Sequence, residues 1–247
     1  MYLTLNLGAP YEEFFLRLPS VIAGALLLLV TSSVAGRKGG ESAAVITVAI
    51  LSTCYGFSRL ALDGRVDMVF VLFTTWATLV GFEFAEARER KLLWRFALLC
   101  AAAVLSKGPL GLLVPWFGVI VGTITLQKSI RPLLRPELLL SVFIPGVWYL
   151  LAWLQAGEPF LVRQLVFENL TRFFGGVGVN DRGTFLFYFP HLIGQGAPWS
   201  ILFLIYLFFL ARSPRFLPAK GKKAVLLNLI LSGAVFFLLT LSSGKRR

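Results

Sequence analysis

Residues 67–85 read DMVFVLFTTWATLVGFEFA, an apolar run that begins with Asp67 and contains one further charged residue, Glu83. A helix needs about 20 mostly apolar residues to cross the roughly 30 Å of hydrocarbon in a bilayer. Basic residues flank the run at Arg65 and Arg88. The stretch therefore predicts a helix that crosses a membrane.

Apolar blocks of this length recur along the chain. Of its 247 residues, 57% are hydrophobic and 15% are charged, whereas soluble domains have about 45–50% and about 25%. The mean hydropathy is +0.79. We therefore predict an all-α polytopic membrane protein, a multi-span helical bundle that occupies the whole chain. Its predicted spans are 18–35, 43–60, 67–85, 92–106, 109–127, 137–155, 195–212 and 224–241.

Basic residues in the short loops predict the orientation. A net charge of +12 would indicate nucleic acid binding in a soluble protein, but here the charge lies between spans, and no nucleic acid partner is expected. One set of loops holds Arg37, Lys38, Arg88, Arg90, Lys91, Lys128, Arg131, Arg135, Arg215, Lys220, Lys222 and Lys223. The positive-inside rule places this set in the cytoplasm. The N-terminal segment, the 61–66 turn, Lys107, the 156–194 loop and the C-terminus then lie outside.

The 92–127 stretch can be interpreted in two ways. A single long helix broken at Gly108-Pro109 would cross the membrane once and would move Lys128, Arg131 and Arg135 to the outer side. Two crossings, the first of them short, keep all the basic loops on one side. We therefore favour two crossings.

The only long predicted loop, 156–194, is rich in Phe and Gly. Within it Gln164, Glu168 and Arg172 are spaced by four residues and share one face of a helix, while apolar residues occupy the other faces. This pattern predicts an outer-face loop that carries an interfacial helix with its apolar side in lipid.

Common soluble-enzyme motifs are absent. Cys54 and Cys100 lie far apart inside apolar blocks, and His191 is the only histidine, so a structural zinc site is not expected. Neither a Walker pattern nor G-x-G-x-x-G occurs, which argues against a soluble nucleotide-sugar donor. Energy for synthesis at the outer surface would have to arrive in a lipid-linked donor.

Charged residues collect at the predicted outer surface, where acidic and basic groups lie among aromatic ones. Charge near membrane depth is costly, so each such residue is a candidate for function. The cluster consists of Arg59, Asp63, Arg65, Asp67, Lys107, Glu168, Asn169, Arg172, Asp181, Arg182 and His191. A site for an anionic lipid headgroup is expected to have this composition.

Each main candidate also has a structural interpretation. Asp67 could act on a sugar hydroxyl or stabilise the N-terminus of its helix. Lys107, followed by Gly108 and Pro109, could bind a phosphate or extend from the membrane to water. Arg172 could hold a phosphate through two nitrogens or pair with Glu168 on an exposed helix. A lone histidine such as His191 is more often a hydrogen-bonded structural residue than a base.

Five strings occur in an order that resembles a known family. They are FFLRLPSVIAG at 14–24, SRLALDGRVDMVFVLFTTWA at 58–77, LSKGPLGLLVP at 105–115, FENLTRFFGG at 167–176 and FYFPHLIGQGAPWS at 187–200. Together they resemble the dolichyl-phosphate-mannose–protein mannosyltransferase-like superfamily in its bacterial branch, which includes the transferases that add aminoarabinose to lipid A. The resemblance covers nearly the whole chain.

The resemblance implies a GT-C fold and a polyprenyl-phosphate sugar as donor. The sugar would pass to a lipid, glycan or protein acceptor on the outer face of the bacterial cytoplasmic (inner) membrane. No cofactor is firmly implied, and the need for a divalent metal stays open. Asp67 is then the catalytic-site candidate, and the substrate-binding candidates are Arg65, Lys107, Glu168, Asn169, Arg172 and His191.

The sequence also departs from the family pattern. The resemblance implies an additional first span, an outer loop with an acidic residue that serves as the catalytic base, and further C-terminal spans. The first span, its loop and the C-terminal spans are not found here, so we expect the chain to be a fragment and the principal base to lie in the missing N-terminal region.

Two other classes remain as alternatives. A transporter or flippase of lipid-linked sugars would favour a midplane site, broken helices in corresponding halves and internal repeats. The charges here gather at one surface instead, and no repeat is evident. A non-catalytic membrane scaffold would leave the outer charge cluster unexplained.

Overall fold

The computed structural model describes residues 9–163 and 188–213, with four further positions at 225, 229, 232 and 233. Every regular element in these ranges is helical. Two short 3-10 turns, Arg131–Leu134 and Pro136–Leu139, precede α7. The α-helices are α1 (Ala9–Gly39), α2 (Glu41–Thr53), α3 (Tyr55–Leu62), α4 (Asp67–Ala87), α5 (Arg90–Lys107), α6 (Leu110–Thr125), α7 (Leu140–Ala156), α8 (Glu158–Leu161), α9 (Tyr188–Gln195) and α10 (Trp199–Arg212).

Several described helices are long and apolar enough to cross a membrane. Glu13–Gly39, Asp67–Ala87 and Pro136–Ala156 meet this criterion as single helices, and α2 with α3 meets it as a bent pair. The shorter helices α6 and α10 are also apolar. The protein is thus a multi-pass helical membrane protein, as its composition predicts.

Helix α4 lies at the centre of the bundle and packs against α1, α5 and α6. In its most apolar stretch 56% of the residues are buried, against 22% in α1 and in α7. Small residues allow this close packing: a Cβ atom on Gly81 would lie 3.1 Å from both the Phe96 ring and the Val119 side chain. The outer helices therefore keep apolar faces for lipid, while α4 is covered by protein.

The chain reverses direction between α5 and α6. Gly108 adopts a positive φ of 95°, which favours glycine, and it closes α5 by donating its N–H to the Val104 carbonyl at 2.7 Å. A Cβ atom on Gly111 would lie 2.4 Å from the Ala103 carbonyl carbon. The two helices therefore form a tightly packed hairpin, and 92–127 is not one long helix.

The predicted 43–60 span is not a single helix. The chain bends by 68° between α2 and α3 at Cys54, whose backbone is extended. Tertiary hydrogen bonds explain the break: the Tyr55 N–H donates to the Ala197 carbonyl at 2.9 Å, and the Trp199 indole donates to the Thr53 hydroxyl at 2.8 Å. The first of these bonds satisfies a backbone N–H that a continuous helix would have paired within itself, and the second joins the side chains on either side of the break.

Other predicted boundaries move as well. The helix predicted over 18–35 extends over Ala9–Gly39. The span predicted from 195 begins at Trp199, because Gln195 ends the separate helix α9 and a turn follows it. The span predicted at 224–241 and the interfacial helix expected around Glu168 lie outside the described residues, apart from the isolated positions in the former.

The bundle has two chemically distinct ends. At one, called here the basic end, loops from α1, α4 and α6 meet through polar contacts. Arg37 pairs with Glu83 and Lys38 with Glu86, while Arg88 donates to the Ser129 carbonyl at 2.9 Å. The opposite end, called the Asp67 end, carries the 63–66 turn and the α5–α6 reversal.

Candidate functional site

At the Asp67 end, an ion pair joins Asp67 to Lys107. Asp67 is the first residue of α4 and Lys107 is the last residue of α5, and the antiparallel packing of these helices brings the Lys107 Nζ to the Asp67 Oδ1. A negatively charged side chain at a helix N-terminus and a positively charged one at a helix C-terminus are each also stabilised by the helix dipole. Both partners are therefore held by the fold as well as by each other.

The Lys107 ammonium has a second neighbour. Its Nζ lies 5.8 Å from the centroid of the Phe70 ring, which is one turn after Asp67 on α4, at cation–π distance. The Lys107 side chain nevertheless remains 49% exposed. Because an ammonium has three donor hydrogens, Lys107 can bind a second anion while it keeps its bond to Asp67.

The adjoining turn, 63–66, is anchored to α1. The buried Ser20 hydroxyl donates to the Arg65 carbonyl at 2.8 Å. The Arg65 side chain is 69% exposed, and its Nε lies 3.3 Å from the Asp63 Oδ2. Arg59 is exposed on the preceding helix α3. The turn therefore holds the exposed Arg65 cation on a fixed backbone, and Arg59 adds a second exposed cation from α3.

The segment that contains His191 docks at the break between α2 and α3. The Gln195 carbonyl accepts from the Cys54 thiol at 3.2 Å, and a Cβ atom on Gly56 would lie 2.8 Å from that same carbonyl oxygen. His191 lies one turn earlier on α9 and is exposed. Since α9 packs on α3, it lies against the helix that leads into the 63–66 turn.

The structure thus brings some of the predicted site residues together. Asp67 and Lys107 form a direct pair, Arg65 lies in the turn just before Asp67, and His191 lies on a helix packed against α3. The candidates outside the described residues are Glu168, Asn169, Arg172, Asp181 and Arg182.

Three contributors were missed by the sequence analysis. Ser20 could have been found as a polar residue within a predicted span, and Phe70 as an aromatic residue three positions after Asp67. The contact of Trp199 with Thr53 joins residues separated by 146 positions. No local pattern signals a contact of that range.

One structural observation concerns whether the described residues could hold a metal ion. Among the described residues, no group of three or more His, Cys, Asp or Glu side chains is arranged to hold a metal ion. Two acidic groups of the Asp67 end instead contact basic side chains, since Asp63 pairs with Arg65 and Asp67 with Lys107.

Known proteins resemble this chain in sequence and in fold. An uncharacterized protein of Aquifex aeolicus (strain VF5) is 27% identical over 207 residues, which are 82% of this chain and 40% of that protein. The structure of ArnT from Cupriavidus metallidurans bound to undecaprenyl phosphate matches with a TM-score of 0.74 and 23% identity, over 94% of this chain and 42% of ArnT. The apo structure of ArnT matches with the same TM-score and 20% identity, over 93% of this chain and 41% of ArnT.

These matches show the fold and the family that the chain shares with known proteins. At such identities the likeness to ArnT shows a common fold, and it confirms the helical-bundle fold class that the sequence implied. The chain spans about two-fifths of the length of these relatives. The family model described as dolichyl-phosphate-mannose-protein mannosyltransferase matches residues 3–153. Because this match covers more than half of the sequence, the chain belongs to the dolichyl-phosphate-mannose-protein mannosyltransferase family.

Proposed function

We propose that this chain is part of a membrane glycosyltransferase that moves a sugar from a polyprenyl-phosphate donor to a lipid, glycan or protein acceptor. The observation that carries the proposal is Lys107, an exposed cation fixed by Asp67 and Phe70 at one end of the bundle. Family membership and the undecaprenyl phosphate bound to ArnT support a phosphate-bearing lipid as its ligand.

The proposed reaction is a direct displacement at the anomeric carbon. An acceptor oxygen forms a bond to that carbon while the bond from the carbon to the phosphate oxygen breaks. The leaving polyprenyl phosphate takes the bonding electron pair, and the acceptor proton passes to a basic group of the enzyme. Negative charge therefore grows on the phosphate during the step.

Lys107 would stabilise that growing charge. A hydrogen-bond donor that is already in place when charge develops on the phosphate lowers the barrier, because it does not have to reorganise during the reaction. Asp67 would hold the ammonium toward the phosphate, and the Phe70 ring would limit its movement. Arg172 would grip the same phosphate through its two guanidinium nitrogens.

The remaining candidates would bind the polar parts of the substrates. Arg65 is an exposed cation beside Asp67 and would extend the anionic-lipid surface. Glu168, Asn169 and His191 offer groups that hydrogen-bond sugar or acceptor hydroxyls. Their roles rest on the family resemblance and on the placement of α9.

The proposed location is the bacterial inner membrane, with the site facing outward. The basic end carries most of the described loop cations, and the positive-inside rule assigns such an end to the cytoplasm. The Asp67 end would then open to the periplasmic or extracellular side. A lipid-linked donor suits that side because it brings the activated sugar to the outer surface within the membrane.

A transfer assay in proteoliposomes tests the proposal. The protein containing this chain is supplied with a radiolabelled polyprenyl-phosphate sugar and an acceptor lipid. Lys107→Ala should lower kcat/KM by roughly 10²-fold or more, as expected when one transition-state charge stabiliser is lost. Lys91→Ala is the matched control, because Lys91 pairs with Glu89 at the basic end.

Two outcomes would argue against the proposal. Near-wild-type transfer by Lys107→Ala would make Lys107 an interfacial lysine without a catalytic role. Movement of the labelled donor across the membrane, with no sugar transferred to any acceptor, would favour the alternative of a transporter or flippase.

A further inference from the structure

A second site candidate lies near the opposite end of the bundle. A groove of about 860 Å³ runs between α1, α4 and α5 toward the basic end. Its walls include Leu29, which is 65% exposed, and Leu98, which is 50% exposed. The groove is therefore open at the side of the bundle, where lipid chains surround the protein.

Charged groups lie at only one end of this groove. Arg37 is two residues from the end of α1, Glu83 is four residues from the end of α4, and Arg95 is five residues into α5. At 1.5 Å per residue, these positions lie within about 8 Å of the helix ends. That depth corresponds to the boundary between lipid headgroups and acyl chains.

The charges at this end do not cancel. The Arg37 guanidinium pairs with Glu83 and also donates to the Ser33 hydroxyl at 2.9 Å. Within residues 9–163 and 188–213, Arg95 has neither an ion pair nor a side-chain hydrogen bond. The Arg95 guanidinium is exposed and lies near a helix end, where arginine side chains reach the interface. Among the described residues, this end of the groove therefore keeps one positive charge without a partner.

We infer that this groove binds an anionic phospholipid from the membrane leaflet at the basic end. The lipid phosphate would accept hydrogen bonds from Arg95, since the planar guanidinium matches phosphate geometry. Part of an acyl chain would lie between Leu29 and Leu98. The volume falls within the range of about 300–1,000 Å³ that holds ligands, which suits a headgroup and part of the chains.

This site is separate from the proposed sugar-transfer site. Glu83 and Asp67 lie sixteen residues apart on α4, or about 24 Å along the helix axis. The inference therefore does not depend on the proposed function. It assigns a lipid-binding role to Arg95, a residue that the proposed reaction does not use.

Native mass spectrometry of the detergent-solubilised chain tests the inference. Added phosphatidylglycerol should bind the wild-type chain, and phosphatidylcholine should bind at least tenfold more weakly. Arg95→Gln should weaken phosphatidylglycerol binding about tenfold, the size expected for a lost hydrogen bond between charged groups. Lys91→Gln is the matched control on the same helix, because its charge is balanced by Glu89. It should change binding less than twofold.

A second variant tests the apolar part of the groove. Leu98→Trp places a larger side chain in the groove at a half-exposed position, so folding should be preserved. It should weaken phosphatidylglycerol binding although Arg95 is intact. Equal binding of both lipids to the wild-type chain, unchanged binding by Arg95→Gln, or binding of neither lipid because another helix covers the groove would each overturn the inference.

Discussion

At the residue scale, the Asp67–Lys107 ion pair joins the first residue of α4 to the last residue of α5. Each residue was identified singly as a candidate, because a charge near membrane depth is costly. Their contact spans forty positions and depends on how α4 and α5 pack. The sequence left each residue with two interpretations, one structural and one functional. In the structure, Asp67 and Lys107 do lie at helix ends. They also lie close to a further candidate, Arg65, in the turn before Asp67.

The role of Asp67 can be separated from that of Lys107. If Asp67 positions the lysine, Asp67→Asn should lower kcat/KM roughly 10-fold, less than the loss expected for Lys107→Ala. The free energy of unfolding should change by less than about 1 kcal/mol, because the pair is partly exposed. Steady-state transfer kinetics and thermal unfolding of the two variants provide the comparison. A loss for Asp67→Asn equal to or greater than that for Lys107→Ala would indicate that Asp67 acts on the substrate itself.

Arg172 allows a test by conservative replacement. If its guanidinium holds the donor phosphate through two nitrogens, Arg172→Lys should already reduce activity, because an ammonium cannot form that fork. Arg172→Ala should reduce kcat/KM by roughly 10²-fold. The competing interpretation, an exposed pair with Glu168, is worth less than about 1 kcal/mol and concerns stability. Kinetics and thermal unfolding of the folded Arg172 variants distinguish the two: near-wild-type turnover with a small loss of stability would favour the ion pair.

At the element scale, apolar blocks predicted the helices well and their breaks poorly. The 67–85 stretch became Asp67–Ala87, and the reversal at Gly108-Pro109 was visible as a Lys-Gly-Pro sequence. The break at Cys54 was not visible, because its cause lies in Ala197 and Trp199, far along the chain. Local patterns report what an element prefers, and tertiary hydrogen bonds decide where it ends.

The α5–α6 hairpin gives a stability prediction. Gly111→Ala would place a Cβ atom 2.4 Å from the carbonyl carbon of Ala103. This backbone atom cannot move aside as the end of a flexible side chain could. We expect a loss of about 1–3 kcal/mol in the free energy of unfolding, the usual size for overpacking. Gly146→Ala is the matched control, since among the described residues no packing neighbour lies within 4 Å of a Cβ at that helical position. Thermal unfolding in detergent should show a lower Tm for Gly111→Ala alone; equal melting of the two variants would contradict the close packing of the hairpin.

At the scale of the whole molecule, the charge pattern predicts how the bundle sits in the membrane. The described cations from the α1–α2, α4–α5 and α6–α7 loops meet at one end through contacts such as Lys38–Glu86 and Arg88–Ser129. The Asp67 end carries Arg65, Asp67 and Lys107 instead. The fold therefore divides the charged groups into two sets, and the positive-inside rule gives the first set to the cytoplasm.

Single cysteines test this orientation in intact cells. With Cys54 and Cys100 replaced, cysteines at Gly40, Ala87 and Ser129 should resist an impermeant thiol reagent added outside, although all three positions are exposed at the basic end. A cysteine at Val66, exposed in the turn before Asp67, should be labelled, as should one at Gly178. Permeabilised cells provide the control, because every exposed position should then react.

Labelling of Ser129 from outside would mean that the α6–α7 loop lies on the opposite side of the membrane from the rest of the basic end. Such a result would conflict with the Arg88–Ser129 contact, and it would remove the argument that the Asp67 site faces outward.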